Sequence, residues 1–175
     1  EPNYQPIERY KDEQVLLDDL AAAYQKAVKA FYAAGCRYLQ LDDTSWGEFC
    51  SAEKRKAYAE RGIDVDEVGR KYVYVLNKVL EAKPTDMTIT MHICRGNFRS
   101  TWSSSGGYEP VAEILFGHCN VDGFFLEYDS DRAGGFEPLR FVTPGKKVVL
   151  GLITSKRPEL EDKDAVIARI HEAAK

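Results

Sequence analysis

Apolar and polar positions alternate between two periods along this chain. Four runs read as strands: residues 37–43 (RYLQLDD), 87–94 (MTITMHIC), 121–127 (VDGFFLE) and 147–153 (KVVLGLI). Between them the spacing turns helical. Residues 15–34 carry Leu16, Leu20, Ala23, Ala27 and Phe31 on one face, with Gly35 where a left-handed cap is expected. Asp64 and Glu67 open a second long helix, whose face runs Val68, Tyr72, Val75, Leu76 and Val79 and which ends before Pro84. Shorter helices are expected at 52–60, from Pro110 to Gly117, and at 164–174.

Strand and helix alternate throughout, so the strands should be parallel, with helices packed outside, in an α/β fold. The strands are apolar on both faces except at their last residues, as expected of strands buried on both sides. Those last residues are Asp42 and Asp43, then His92 and Cys94, then Glu127. The C-terminal rim of a parallel sheet or barrel is where chemistry collects. His92 and Cys94, two residues apart on a strand, point to one side and supply nitrogen and sulfur donors suited to zinc.

Composition narrows the classes. The chain has 175 residues, 44% of them hydrophobic, and a net charge of −4, which argues against a nucleic-acid or membrane surface. Four cysteines without a signal peptide suggest reduced thiols in a cytoplasm. The stretches TWSSSGGYEP and SDRAGGFEP read as loops flanking a site. Arg95 and Arg132 could each grip an anion, although surface solvation is the simpler expectation. Trp46, Trp102 and Tyr128 could wall an aromatic ligand, but packing within the loops is commoner.

A closed eight-stranded barrel takes about 250 residues. Four strands therefore predict a single partial (β/α) barrel domain over 1–175, about four β/α units from the middle to late part of a barrel with its early strands and last strand missing, prone to self-association through its unpaired edges.

The motifs LQLDD, MHICRGNF and FFLEYDSDRAG, in this order, resemble the catalytic domain of the cobalamin-independent methionine synthase family. GCRYLQLDD, GGYEPVAEILF, LEYDSDRAGGFEPL and VVLGLITSKRPELE are similar to its short bacterial members, and the resemblance runs from about residue 12 to 175. It implies a (β/α)8 TIM barrel of the methionine synthase/uroporphyrinogen decarboxylase-like type. It also implies a zinc ion held by His92, Cys94 and Glu127, with a fourth cysteine ligand beyond Lys175. Asp42 falls on the family's acidic residue that pairs with the ammonium of homocysteine; Asp42 and Asp43 are the candidate substrate-binding pair, and Asp42 the candidate catalytic residue. The implied reaction moves a methyl group to a thiol, from a donor such as a methylated folate.

Two places depart from the family pattern. An Asp-Glu-Pro of the long enzymes reads Asp42-Asp43-Thr44 here, and an Asp-x-His-Ser stretch reads with Leu152 and Thr154 beside Ser155. The second change removes a proton donor to a folate leaving group, so the donor stays open. The alternatives are alkyl transfer to another small thiol and a catalytically silent barrel fragment.

Overall fold

The computed structural model describes residues 6–175; the opening residues of the expected pre-helical loop lie outside the described residues. Four strands, β1 (Tyr38–Asp43), β2 (Thr88–Ile93), β3 (Gly123–Glu127) and β4 (Lys147–Gly151), form one parallel sheet in sequence order. The helices are α1 (Glu13–Ala33), α2 (Ser45–Phe49), α3 (Ala52–Glu60), α4 (Val65–Leu80), α5 (Glu109–His118) and α6 (Lys163–Ala173). Helix α2 has no counterpart among the expected elements, because five residues are too few to set up a readable period.

Local chemistry sets the ends. Asp12 caps α1 by accepting from the Gln14 N–H at 2.9 Å, and Gly35 stops the helix at φ +97°. Asp64 caps α4 through the Asp66 and Glu67 N–H groups. The buried side of α4 is wider than the expected stripe, taking in Val65, Val73 and Leu80, because α1 packs on one flank and α5 on the other.

The main helices share one face of the sheet. Ile89, Met91 and Ile93 of β2 and Phe124 and Leu126 of β3 point into that layer and are essentially inaccessible, joined by half-buried Leu39, Leu41, Val148 and Leu150. The opposite face carries Tyr38, Gln40 and Asp42 from β1, Thr90 and His92 from β2, Phe125 from β3 and Val149 from β4, aligned by the register. This corrects the expectation of strands buried on both sides for the edge strands β1 and β4, whereas Thr90 of β2 is only 4% exposed. Tyr38 is 54% exposed and Val149 43%, since β1 and β4 are the sheet's edges and among the described residues no layer covers that face.

Candidate metal centre

The uncovered face ends, at the C-terminal rim, in a cluster of donors. Asp42 sits directly across the ladder from His92, and Cys94 follows two residues beyond, on the same side. One ligand atom from each of Asp42, His92 and Cys94 lies within 4.8 Å of the others. The His92 Nδ1 lies 3.1 Å from the Phe125 carbonyl, which requires the hydrogen on Nδ1 and leaves the Nε2 lone pair free. The Cys94 sulfur accepts from the Gly96 N–H at 3.4 Å.

Glu127 stands at the edge of this cluster. Its Oε1 is 3.7 Å from His92 Nε2 and accepts from the Arg95 main-chain N–H at 2.9 Å. Its Oε2 accepts from Arg132 Nη2 at 2.9 Å and from Lys156 Nζ at 3.4 Å. Burial pushes the Glu127 carboxyl upward, but the Arg95 N–H and the two cations outweigh it and hold the group below the usual range. Asp129 shares both cations, at 2.6 Å from Arg132 Nη2 and 3.3 Å from Lys156 Nζ, and accepts from the Thr154 hydroxyl at 2.8 Å. Against its own burial, these partners likewise hold it ionised.

Asp43 is not part of the cluster. Strand alternation turns it to the helical face, where its carboxylate receives the Ser45 N–H at 2.6 Å and caps α2; burial raises its pKa despite those bonds. Cys50, the remaining thiol nearest in sequence to the rim, lies outside the group, and its burial pushes the thiol up to about 11.

The cluster's outer supports were not legible as such in the chain. Arg95 is wholly buried, its guanidinium 4.2 Å over the Tyr108 ring and bonded to the Gly106 carbonyl at 2.8 Å; the Arg132 side chain is 5% exposed. Both overturn the expectation of surface arginines, because each crosses the interior to fasten loops that follow β2 and β3. Lys156 had no signal beyond its place after β4. Trp46 and Tyr128 are buried in aromatic packing with Phe49, Tyr72, Tyr108 and Phe136, leaving only Trp102 of the three aromatics exposed at the rim.

Two glycines permit this crowding. A Cβ on Gly47 of α2 would stand 2.6 Å from the Cys94 carbonyl oxygen, and one on Gly106, at φ +145°, would stand 2.2 Å from the Cys50 carbonyl oxygen.

Imidazole nitrogen, thiol sulfur and carboxylate oxygen on one rim form a donor set that fits zinc. No protein-family model matches the chain. Two Bacillus subtilis proteins, both described as uncharacterised, are similar to it: YxjH, 53% identical over 167 residues, and YxjG, 49% identical over 170. These alignments take in 95% and 96% of this chain but 44% and 45% of the relatives, so the chain spans just under half of their length. A crystal structure from Listeria monocytogenes, of a protein provisionally described as a vitamin-B12-independent methionine synthase, matches 98% of this chain and 47% of its own. The identity is 48% and the TM-score 0.75. Among the described residues no helix is long and apolar enough to cross a membrane.

Proposed function

We propose that this chain is part of a methyltransferase of the cobalamin-independent methionine synthase family, a (β/α)8 barrel in its full form, which transfers a methyl group to a thiol, homocysteine first among them. The observation that carries this reading is the convergence of His92, Cys94 and Asp42 on one rim, with Glu127 beside them. The Listeria likeness supports the reaction class.

His92 Nε2, Cys94 Sγ and a Glu127 oxygen would hold zinc. When bound, zinc lowers the pKa of a substrate thiol and orients its sulfur for attack on a methyl group. The residues around it have separate tasks. The Phe125 carbonyl fixes the tautomer of His92, and Arg95, Arg132 and Lys156 keep Glu127 ionised and aimed. Asp42, exposed beside the cluster, can pair with the ammonium of an amino-acid thiol.

A second assignment has its own support. Asp42 is in the three-residue donor group whereas Glu127 already has partners at both oxygens, which favours Asp42 as the third metal ligand. Zinc affinity measured by chelator competition on Asp42→Asn and Glu127→Gln separates the two. Loss in Glu127→Gln alone supports the first assignment, and loss in Asp42→Asn alone supports the second. Unchanged zinc affinity in Cys94→Ala, with no methyl transfer to homocysteine by the unmodified protein, would remove the proposed function.

A further inference from the structure

We propose that Arg132 is the seat of an anionic group of the substrate, a carboxylate of the amino-acid thiol, admitted beneath Trp102. This rests on the thiol reading above and adds to it the recognition of the other end of the ligand.

Arg132 spends only one of its three nitrogens. Nη2 serves Glu127 at 2.9 Å and Asp129 at 2.6 Å, whereas Nε and Nη1 are buried and have no hydrogen-bond partner among the described residues. Those two carboxylates are also met by Lys156, at 3.4 and 3.3 Å, so two negative charges already face two positive ones. The spare donors are therefore surplus to the internal pairing. A guanidinium N–H removed from water without an acceptor is costly, more so than for a neutral donor, and such orphans in a folded protein call for a partner. A carboxylate is the complementary one, because guanidinium hydrogens and carboxylate oxygens match in charge and in planar geometry.

Position favours a substrate group over an unrelated anion. The carboxylate of Glu127 reaches from His92 on one oxygen to Arg132 on the other, so one side chain spans the distance between imidazole and guanidinium. Arg132 is thus within reach of the far end of a small molecule whose sulfur sits at the cluster. The cover is Trp102, whose ring lies 5.1 Å from the Arg132 guanidinium carbon and which remains 46% exposed. It follows a tight turn bridged from Phe98 to Thr101, in which Arg99 and Ser100 take left-handed conformations at φ 52° and 60° without being glycine. An exposed indole on such a turn is the piece that yields when a ligand enters.

The test uses the intact zinc-loaded protein and two thiols, homocysteine and 3-aminopropanethiol, which share the thiol and the amine but differ by the carboxylate. Binding is read by calorimetry and by tryptophan fluorescence, and a ligand-dependent change that is lost in Trp102→Phe reports Trp102. Homocysteine should bind at least about tenfold more tightly than its analogue, as one charge-assisted contact predicts. Homocysteine alone should change the fluorescence, and Arg132→Gln should erase the affinity difference between the two thiols, because homocysteine alone loses a carboxylate contact whereas any loosening of Glu127 is felt by both. Equal binding of the two thiols overturns the role of Arg132 and leaves the thiol reading standing; binding of neither overturns both. The two-ligand comparison on the unmodified chain decides the matter even if Arg132→Gln does not fold.

Discussion

The Tyr108 hydroxyl holds Glu127 by both of its main-chain polar atoms, receiving the Glu127 N–H at 3.0 Å and donating to the Glu127 carbonyl at 3.3 Å. A side chain from the start of α5 thereby takes over the hydrogen bonding of β3 at the residue whose carboxylate faces the cluster. Tyr108 is fully buried, so no water can substitute at this point without rearrangement.

Tyr108→Phe removes both bonds while keeping the ring under Arg95. The expected cost is about 1–3 kcal/mol, because a buried N–H loses its acceptor. Zinc affinity should fall with it as the Glu127 main chain loosens. Urea unfolding and chelator competition measure the two effects; a wild-type unfolding midpoint would show that the hydroxyl is dispensable.

Gly47→Ala should disturb the centre without touching any donor. The added methyl would meet the Cys94 carbonyl oxygen at 2.6 Å and the Arg95 Cδ at 3.2 Å, so the end of β2 or the whole of α2 must shift. Overpacking of this kind costs about 1–3 kcal/mol. A thermal melt and a zinc titration indistinguishable from wild type would mean that the two elements slide apart freely.

The four thiols should divide into two classes. Cys50 and Cys119 are buried, and burial raises both, Cys50 to about 11, so they stay protonated and shielded at pH 8. Cys36 and Cys94 are partly exposed. An aromatic disulfide reagent at pH 8 should therefore modify Cys36 and Cys94 in the native protein and reach Cys50 and Cys119 only after unfolding, as read by peptide mapping, with zinc protecting Cys94. Rapid native reaction of all four would contradict the burial of the first pair.

Glu48 contributes an acid-side term to stability. The Lys54 ammonium at 2.7 Å, with help from the Tyr58 hydroxyl at 2.7 Å and against some desolvation, lowers its pKa. A depressed carboxyl stabilises the fold above its unfolded pKa of about 4.3 and loses that contribution as pH falls through the folded value. Both partners are roughly a third exposed, which limits the effect to about 0.5 kcal/mol. Glu48→Gln should lower stability at pH 7 by that amount and leave it unchanged near pH 3; an equal loss at both pH values would assign Glu48 a packing role instead.

The strands and long helices were legible because their periods are clean over many residues, and all four strands fall within a residue or two of the expected ends. His92 and Cys94 could be paired on one side from spacing alone. That Asp42 shares their side and Asp43 does not depends on the register between β1 and β2, which no local pattern encodes. The burial of the arginines is hidden from the sequence for a related reason. Nothing near Arg95 or Arg132 in the chain announces Tyr108, Gly106 or Asp129 as partners for a cation inside the protein, so the sequence alone points to exposure. Helix α2 is too brief to show a period, although Asp43, whose carboxylate receives the Ser45 and Trp46 N–H groups, marks its start.

The pairing of Asp42 with His92 across the ladder also ties the appearance of the centre to the order of folding. The two residues are neighbours only after the chain between them has formed α2, α3 and α4 and returned to lay β2 in parallel against β1. Closing so long a connection is slow relative to local helix formation. A slip of one residue in that pairing would turn His92 and Cys94 to the helical side and strand Asp42 alone. The donor group is thus a kinetic reporter: its ability to capture an ion should arise in the last phase of refolding, well after the helical signal has recovered.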